Sequence, residues 1–157
     1  MKRLLLILFT VLIISSCGSG GGQGSSGSGE SSNDQTNANI SSYDPNRGEG
    51  KYSSVELGAT LNTAMAENGS KIQAVKCSAC HKLTAEKLVG PGWKGVTERR
   101  KPEWIMNFIT NPDPMIDKDP VVQAQFELCL IRMPNQALTD EDARHVLEFM
   151  RKNDGLN

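Results

Sequence analysis

The sequence predicts an all-α domain of about four helices, and three observations carry that expectation. Apolar residues recur at three- and four-residue spacing in four separate stretches, each with its own start or stop signal. No run alternates apolar and polar residues as a half-buried strand does. Between the first two helical stretches stands Cys77-Ser78-Ala79-Cys80-His81, and the spacing C-x-x-C-H is the attachment signature of a c-type haem. Two thiols three positions apart can add to the two vinyl groups of one porphyrin, and the adjacent imidazole can coordinate the iron. Aromatics are few, and a domain of about 100 residues buries a modest core. A large flat apolar group would supply the missing bulk, so the helices are expected to pack around one covalently bound haem.

The N-terminal segment has a different purpose. Lys2 and Arg3 precede an apolar run over residues 4–14 that only Thr10 interrupts. That is a charged n-region with a short h-region, too short to span a bilayer comfortably. It runs into Ile14-Ser15-Ser16-Cys17, which resembles the lipobox of bacterial lipoproteins. The resemblance implies a signal peptide over residues 1–16, cleavage before Cys17 and a lipid on that cysteine. An ordinary secretory signal with an incidental cysteine is the alternative. Residues 17–50 are read as the lipidated cysteine and a linker, with 8 Gly and 8 Ser in the 32 residues from 18 to 49. Such a stretch cannot bury enough apolar surface to offset its ordering entropy, so disorder is expected. As a coil it spans roughly 30 Å and tethers the domain to a membrane. Gly18 stands where lipoproteins kept at the inner membrane carry aspartate, which points to the outer membrane in a two-membrane cell.

Residues 51–157 are then one domain by length, and its helices follow in order. Over residues 62–76, Met65, Ile72 and Val75 fall near helical spacing and lead into the haem cysteines. Pro102 suits a first helical position, Glu103 the first turn, and Trp104, Ile105, Phe108 and Ile109 form a stripe ending at Asn111-Pro112. Asp119 as N-cap and Pro120 open a third helix expected to turn Val122, Phe126, Cys129 and Leu130 inward. Thr139 with Asp142 three residues on makes a capping-box variant for the last. Its buried face is Ala143, Val146, Leu147 and Met150.

Charge is balanced overall, with a formal net of −1, but not evenly spread. Residues 71–101 hold 8 basic and 2 acidic side chains; residues 102–157 hold 5 basic and 10 acidic. The basic stretch lacks interleaved aromatics and lies in an exported chain, which argues against nucleic acid. A basic rim of Lys71, Lys76, Lys82, Lys87, Lys94 and Arg99-Arg100-Lys101 would steer an acidic redox partner. A monomer is expected.

Together these residues resemble a class I cytochrome c across nearly all of residues 51–157. Gly69 stands where the family keeps a glycine for the crossing of its first and last helices, with Phe149 as a partner. Gly90-Pro91 is similar to the loop whose proline carbonyl accepts the ligand histidine's Nδ1–H, here that of His81. Phe108-Ile109-Thr110-Asn111-Pro112 matches a family helix end, and Met133-Pro134 resembles the segment that delivers the axial methionine. Gln73, where the family often has an aromatic, and the extra helix before Arg132 are departures. The run from Leu88 to Val96, with Arg99-Arg100 and Trp104, is similar to small cytochromes associated with nitrous-oxide reductases. Trp104 is a candidate for packing on the haem.

The sixth ligand is a choice among methionines. Met65, Met106 and Met150 sit on helices and read as packing residues. Met115, in an expected loop with Pro112 and Pro114, competes with Met133, which lies between two helices and is preferred. An open or bis-histidine site is the remaining option, with His145 read as a surface residue. Cys129 reads as a buried small hydrophobe. His/Met ligation implies outer-sphere transfer of one electron at a time, outside the cytoplasm, to a terminal reductase or oxidase rather than catalysis. A haem enzyme or gas-binding sensor with an open sixth position is the alternative.

Overall fold

The computed structural model describes residues 43–157, so the signal segment, Cys17 and the linker up to residue 42 lie outside the described residues. Among the described residues are six helices: α1 (Thr63–Lys76), α2 (Val96–Arg99), α3 (Pro102–Thr110), α4 (Pro112–Lys118), α5 (Pro120–Cys129) and α6 (Asp140–Asn153). Among the described residues the regular structure is all helical, and extended pairing is limited to one isolated bridge between His81 and Lys87.

The fold is organised by the crossing of α1 on α6. Asn62 caps α1 by accepting from the Met65 amide at 3.1 Å, and Ala66, Gly69 and Gln73 face inward. A Cβ on Gly69 would run into the His145 carbonyl and stand 2.9 Å from Phe149 Cβ, so only glycine permits the approach. This seam, not the apolar count, sets which face of α1 is buried: Val75, expected inside, is 84% exposed. The expected capping box starts α6, with Thr139 Oγ1 accepting from the Asp142 amide at 3.0 Å and Asp142 returning a bond. Ala143, Val146, Leu147 and Met150 are buried as read. His145, expected on the surface, is partly buried because its backbone lies in the crossing.

Two boundaries differ from the sequence reading. First, the folded unit begins before residue 51: Gly48 is buried against Met115 and Trp104, and Tyr43 donates to Asp119. Asn107, 1% exposed on α3, fastens this segment by accepting from the Tyr52 amide at 2.9 Å and donating to the Arg47 and Tyr52 carbonyls at 3.0 Å. Second, residues 112–118 are helical rather than a loop. Asn111, at φ −152° and ψ 82°, breaks the chain direction, and Pro112 and Pro114 both fall in the next helix's first turn. Proline ends a helix but also begins one, because the first-turn amides have no intrahelical acceptor. Met115 is thereby placed in α4 and fully buried.

Candidate functional site

The chain does not straighten after α1. The Cys77 amide donates to Gln73 O at 2.9 Å, and those of Cys80 and His81 return to Cys77 O at 3.1 and 2.9 Å. These bonds wind Cys77, Cys80 and His81 tightly enough to border one cavity. The next loop folds back on the motif: the Gly90 amide donates to Cys80 O, and the Trp93 amide to Lys82 O, both at 2.9 Å. Pro91 O then lies 2.8 Å from His81 Nδ1. A carbonyl only accepts, so the contact places the proton on Nδ1 and leaves the Nε2 lone pair for a metal. Burial lowers the His81 pKa against the opposing effect of the Pro91 bond, and the ring is neutral near pH 7. Gly90 leaves the imidazole room: a Cβ there would be 2.9 Å from His81 Nδ1 and closer still to Cε1. The Trp93 ring lies 5.8 Å from that of His81.

The cavity has a volume of about 340 Å³, within the size range of small-molecule and cofactor sites. Cys77, Cys80, His81 and Pro91 border it from the motif side, Trp104 and Phe108 from α3, and Val122 and Phe126 from α5. Met133 joins the lining from the segment between α5 and α6, whereas Met115 does not line it. Four cations, Lys76, Arg99, Arg100 and Arg132, are among the lining residues and no carboxylate is. An apolar chamber with two thiols, a neutral imidazole, a thioether and a cationic rim fits a haem with its two acidic side groups. Held there, a c-type haem supplies a reversible one-electron iron couple.

Six residues singled out in the sequence are thus gathered at one cavity: Cys77, Cys80, His81, Pro91, Trp104 and Met133. Cys17 lies outside the described residues. Cys129 is not the buried hydrophobe expected; it is half-buried and borders the cavity. On α5 only Val122 is buried, while Phe126 faces the chamber and Leu130, at φ 58°, is 79% exposed. The remaining lining of α5, Val121 and Gln125, was missed, because a helix facing a cofactor does not keep one clean apolar stripe. The clamp on α2 was missed as well: Asp154, past α6, accepts from the Thr97 amide at 2.8 Å and the Thr97 hydroxyl at 2.7 Å. Several basic residues tie the chain together, Lys76 to Gln136 O at 2.8 Å and Lys87 to Leu128 O at 2.7 Å.

Residues 66–154 match the protein family described as Cytochrome c. A search of curated proteins gives no match. Among solved structures, cytochrome c from Rhodothermus marinus is similar at 36% identity and a TM-score of 0.65, over 67% of this chain and 90% of that one. An engineered cytochrome c from the same organism, Rma TDE, is similar at 35% identity and a TM-score of 0.64, with the same coverage. The same engineered protein bound to a carbene intermediate is similar at 35% and 0.61.

Proposed function

The chain belongs to the cytochrome c family, a class I monohaem electron carrier with a covalent c-type haem, and from that premise we propose a lipid-anchored shuttle working outside the cytoplasm. Cys77 and Cys80 form the thioether attachments, and His81 and Met133 are the axial ligands. The observation that supports this assignment is that Met133 borders the same chamber as His81 while Met115 is fully buried elsewhere. A His/Met pair leaves no vacant position for oxygen or peroxide, which makes the protein a carrier rather than a catalyst. The weak thioether donor favours the reduced iron and raises the potential.

Cys17 carries the lipid, residues 18–42 are the tether, and the folded domain starts near residue 43. The location is the outer membrane facing the periplasm, or the outer face of a single plasma membrane. The acceptor is a terminal reductase of the nitrous-oxide reductase type or an oxidase, docking through complementary charge at the cationic rim. Exposed Leu128, Leu130 and Ile131, the last of them bordering the chamber, offer an apolar contact beside it. The protein acts as a monomer and binds no nucleic acid.

Carbon monoxide added to the reduced protein tests the ligation. The parent is expected to resist binding, and Met133→Ala to bind rapidly at a lowered potential with haem attachment intact. Met115→Ala is expected to change stability only. Carbon monoxide binding to the parent would instead support an enzyme or gas sensor with an open sixth position.

A further inference from the structure

One buried charge stands apart from the proposed ligands. Asp119 is 1% exposed, at the N-terminus of α5. Its Oδ1 accepts from the Val121 amide at 2.8 Å and the Val122 amide at 3.2 Å; its Oδ2 accepts from Trp104 Nε1 at 2.7 Å and from the Tyr43 hydroxyl. All four donors are neutral. The other buried carboxylate among the described residues, Glu148, is paired with Arg144 and Arg151, whereas no ion pair is formed by Asp119. Arg100 stands on the ring of one of these donors, its guanidinium 4.5 Å from the centre of the Trp104 ring. Three of the four donors, Val121, Val122 and Trp104, also border the haem chamber. The carboxylate therefore sits one layer of side chains behind the wall.

We propose that Asp119 is a positioning residue that sets the potential of the carrier: its buried negative charge favours the oxidised haem, while its hydrogen bonds fix Trp104 and α5 against the chamber. The proposal rests on the electron-carrier reading above. Reduction adds one electron, from the external donor, to the iron, and a nearby anion in a medium of low polarity opposes that added charge. Burial pushes the Asp119 carboxyl up, but the bonds from Tyr43, Trp104 and the two amides outweigh it and hold the pKa below the ordinary value. The charge is therefore present across the neutral range. A bare buried carboxylate would be expelled or neutralised; four donors keep this one in place.

The sign of the effect separates this role from a purely structural one. Losing the anion should raise the potential. Loosening the wall would admit water, which favours the more highly charged oxidised state and lowers it. The experiment is redox titration of the full haem-loaded chain and three variants. Asp119→Asn and Asp119→Ser each keep a side chain able to cap α5 and remove the charge; Asp119→Glu keeps the charge. A unit charge within about 12 Å at an effective dielectric of about 20 changes an equilibrium about tenfold. The neutral variants are therefore expected to shift the ratio of reduced to oxidised protein about tenfold toward reduced, an upward move of about 59 mV for one electron. Asp119→Glu should stay near the parent. Neutral variants that are unchanged or lower in potential overturn the proposal. So does failure of both to retain haem, which would make Asp119 a folding residue only. A parent without a reversible one-electron couple would overturn the carrier reading itself, a different and separately visible result.

Discussion

At Gly90 an added methyl group would stand well inside contact distance of His81 Cε1 and 2.9 Å from Nδ1. The imidazole is also held by Pro91 O and flanked by Trp93, so it has little freedom to yield. Gly90→Ala should turn the ring, weaken the Pro91 contact and broaden or shift the haem absorbance while leaving both thioether attachments in place. Gly69→Ala tests a different contact. There the obstruction is the His145 backbone carbonyl, which cannot rotate away, so the whole α1–α6 crossing must open. Overpacking of this kind costs about 3 kcal/mol, the upper end for an inserted methyl. Guanidinium unfolding of the haem-loaded protein measures it, and a loss below about 0.5 kcal/mol would show that the helices separate freely.

Between elements, Glu148 joins the same two helices electrostatically. Wholly buried on α6, it accepts from the Asn62 amide at the start of α1 at 2.8 Å, from Arg144 at 2.6 Å and from Arg151 at 2.9 Å. Removing one member of a buried charge cluster leaves the others unpaired, and Glu148→Gln should cost about 3 kcal/mol. Burial raises the Glu148 carboxyl, but the Asn62, Arg144 and Arg151 contacts prevail and hold it below the ordinary value. A carboxyl depressed in the folded state stabilises fully above the unfolded pKa, and that stability is lost as pH falls through the folded value. Melting temperature should therefore drop on the acid side of about pH 4. In Glu148→Gln that acid limb should be shallower, with Asp119 contributing to what is left of it beside the exposed Asp140 and Glu86, which hydrogen bonds from Lys51 and Lys82 also hold low. Such clusters explain what the sequence could and could not reveal. The haem motif, the Thr139–Asp142 cap and the Asp119-Pro120 start are local signals, readable in a few adjacent residues, whereas the Gly69 crossing was implied by the family resemblance. Asn107 fastening residues 47–52, Glu148 reaching Asn62 and Asp119 meeting Tyr43 are contacts between distant segments, and polar side chains carry no periodicity that announces burial. The Pro112–Pro114 stretch was misread because proline marks both the end of one helix and the beginning of another. Val75 and Leu130 were misplaced because apolarity alone does not say which side of a helix meets its partner.

For the whole molecule, the proposed tether and the cationic rim act on the same step, the encounter with a partner. Replacing Cys17 with Ser should release a soluble, haem-loaded domain with an unaltered spectrum; a variant that stays in the membrane fraction would refute the lipid anchor. Docking is then expected to depend on the rim residues unequally. Arg132 is already paired with Asp113 at 3.3 Å and Asp117 at 3.2 Å, so its field is partly cancelled. Lys76 and Arg99 donate to neutral carbonyls, those of Gln136 and Lys94, and form no ion pair among the described residues. Charge steering raises association rates at low salt, and its range shrinks to about 10 Å at 0.1 M ionic strength. Second-order electron-transfer rates with an acidic partner should therefore fall as salt rises. Arg99→Ala should lower the low-salt rate and flatten the salt profile, while Arg132→Ala, which removes the same formal charge, should change it little. Stopped-flow oxidation by an acidic redox protein across a salt series reads both. Equal effects of the two substitutions would mean that net charge, not the placement of free cations around the chamber, governs the encounter.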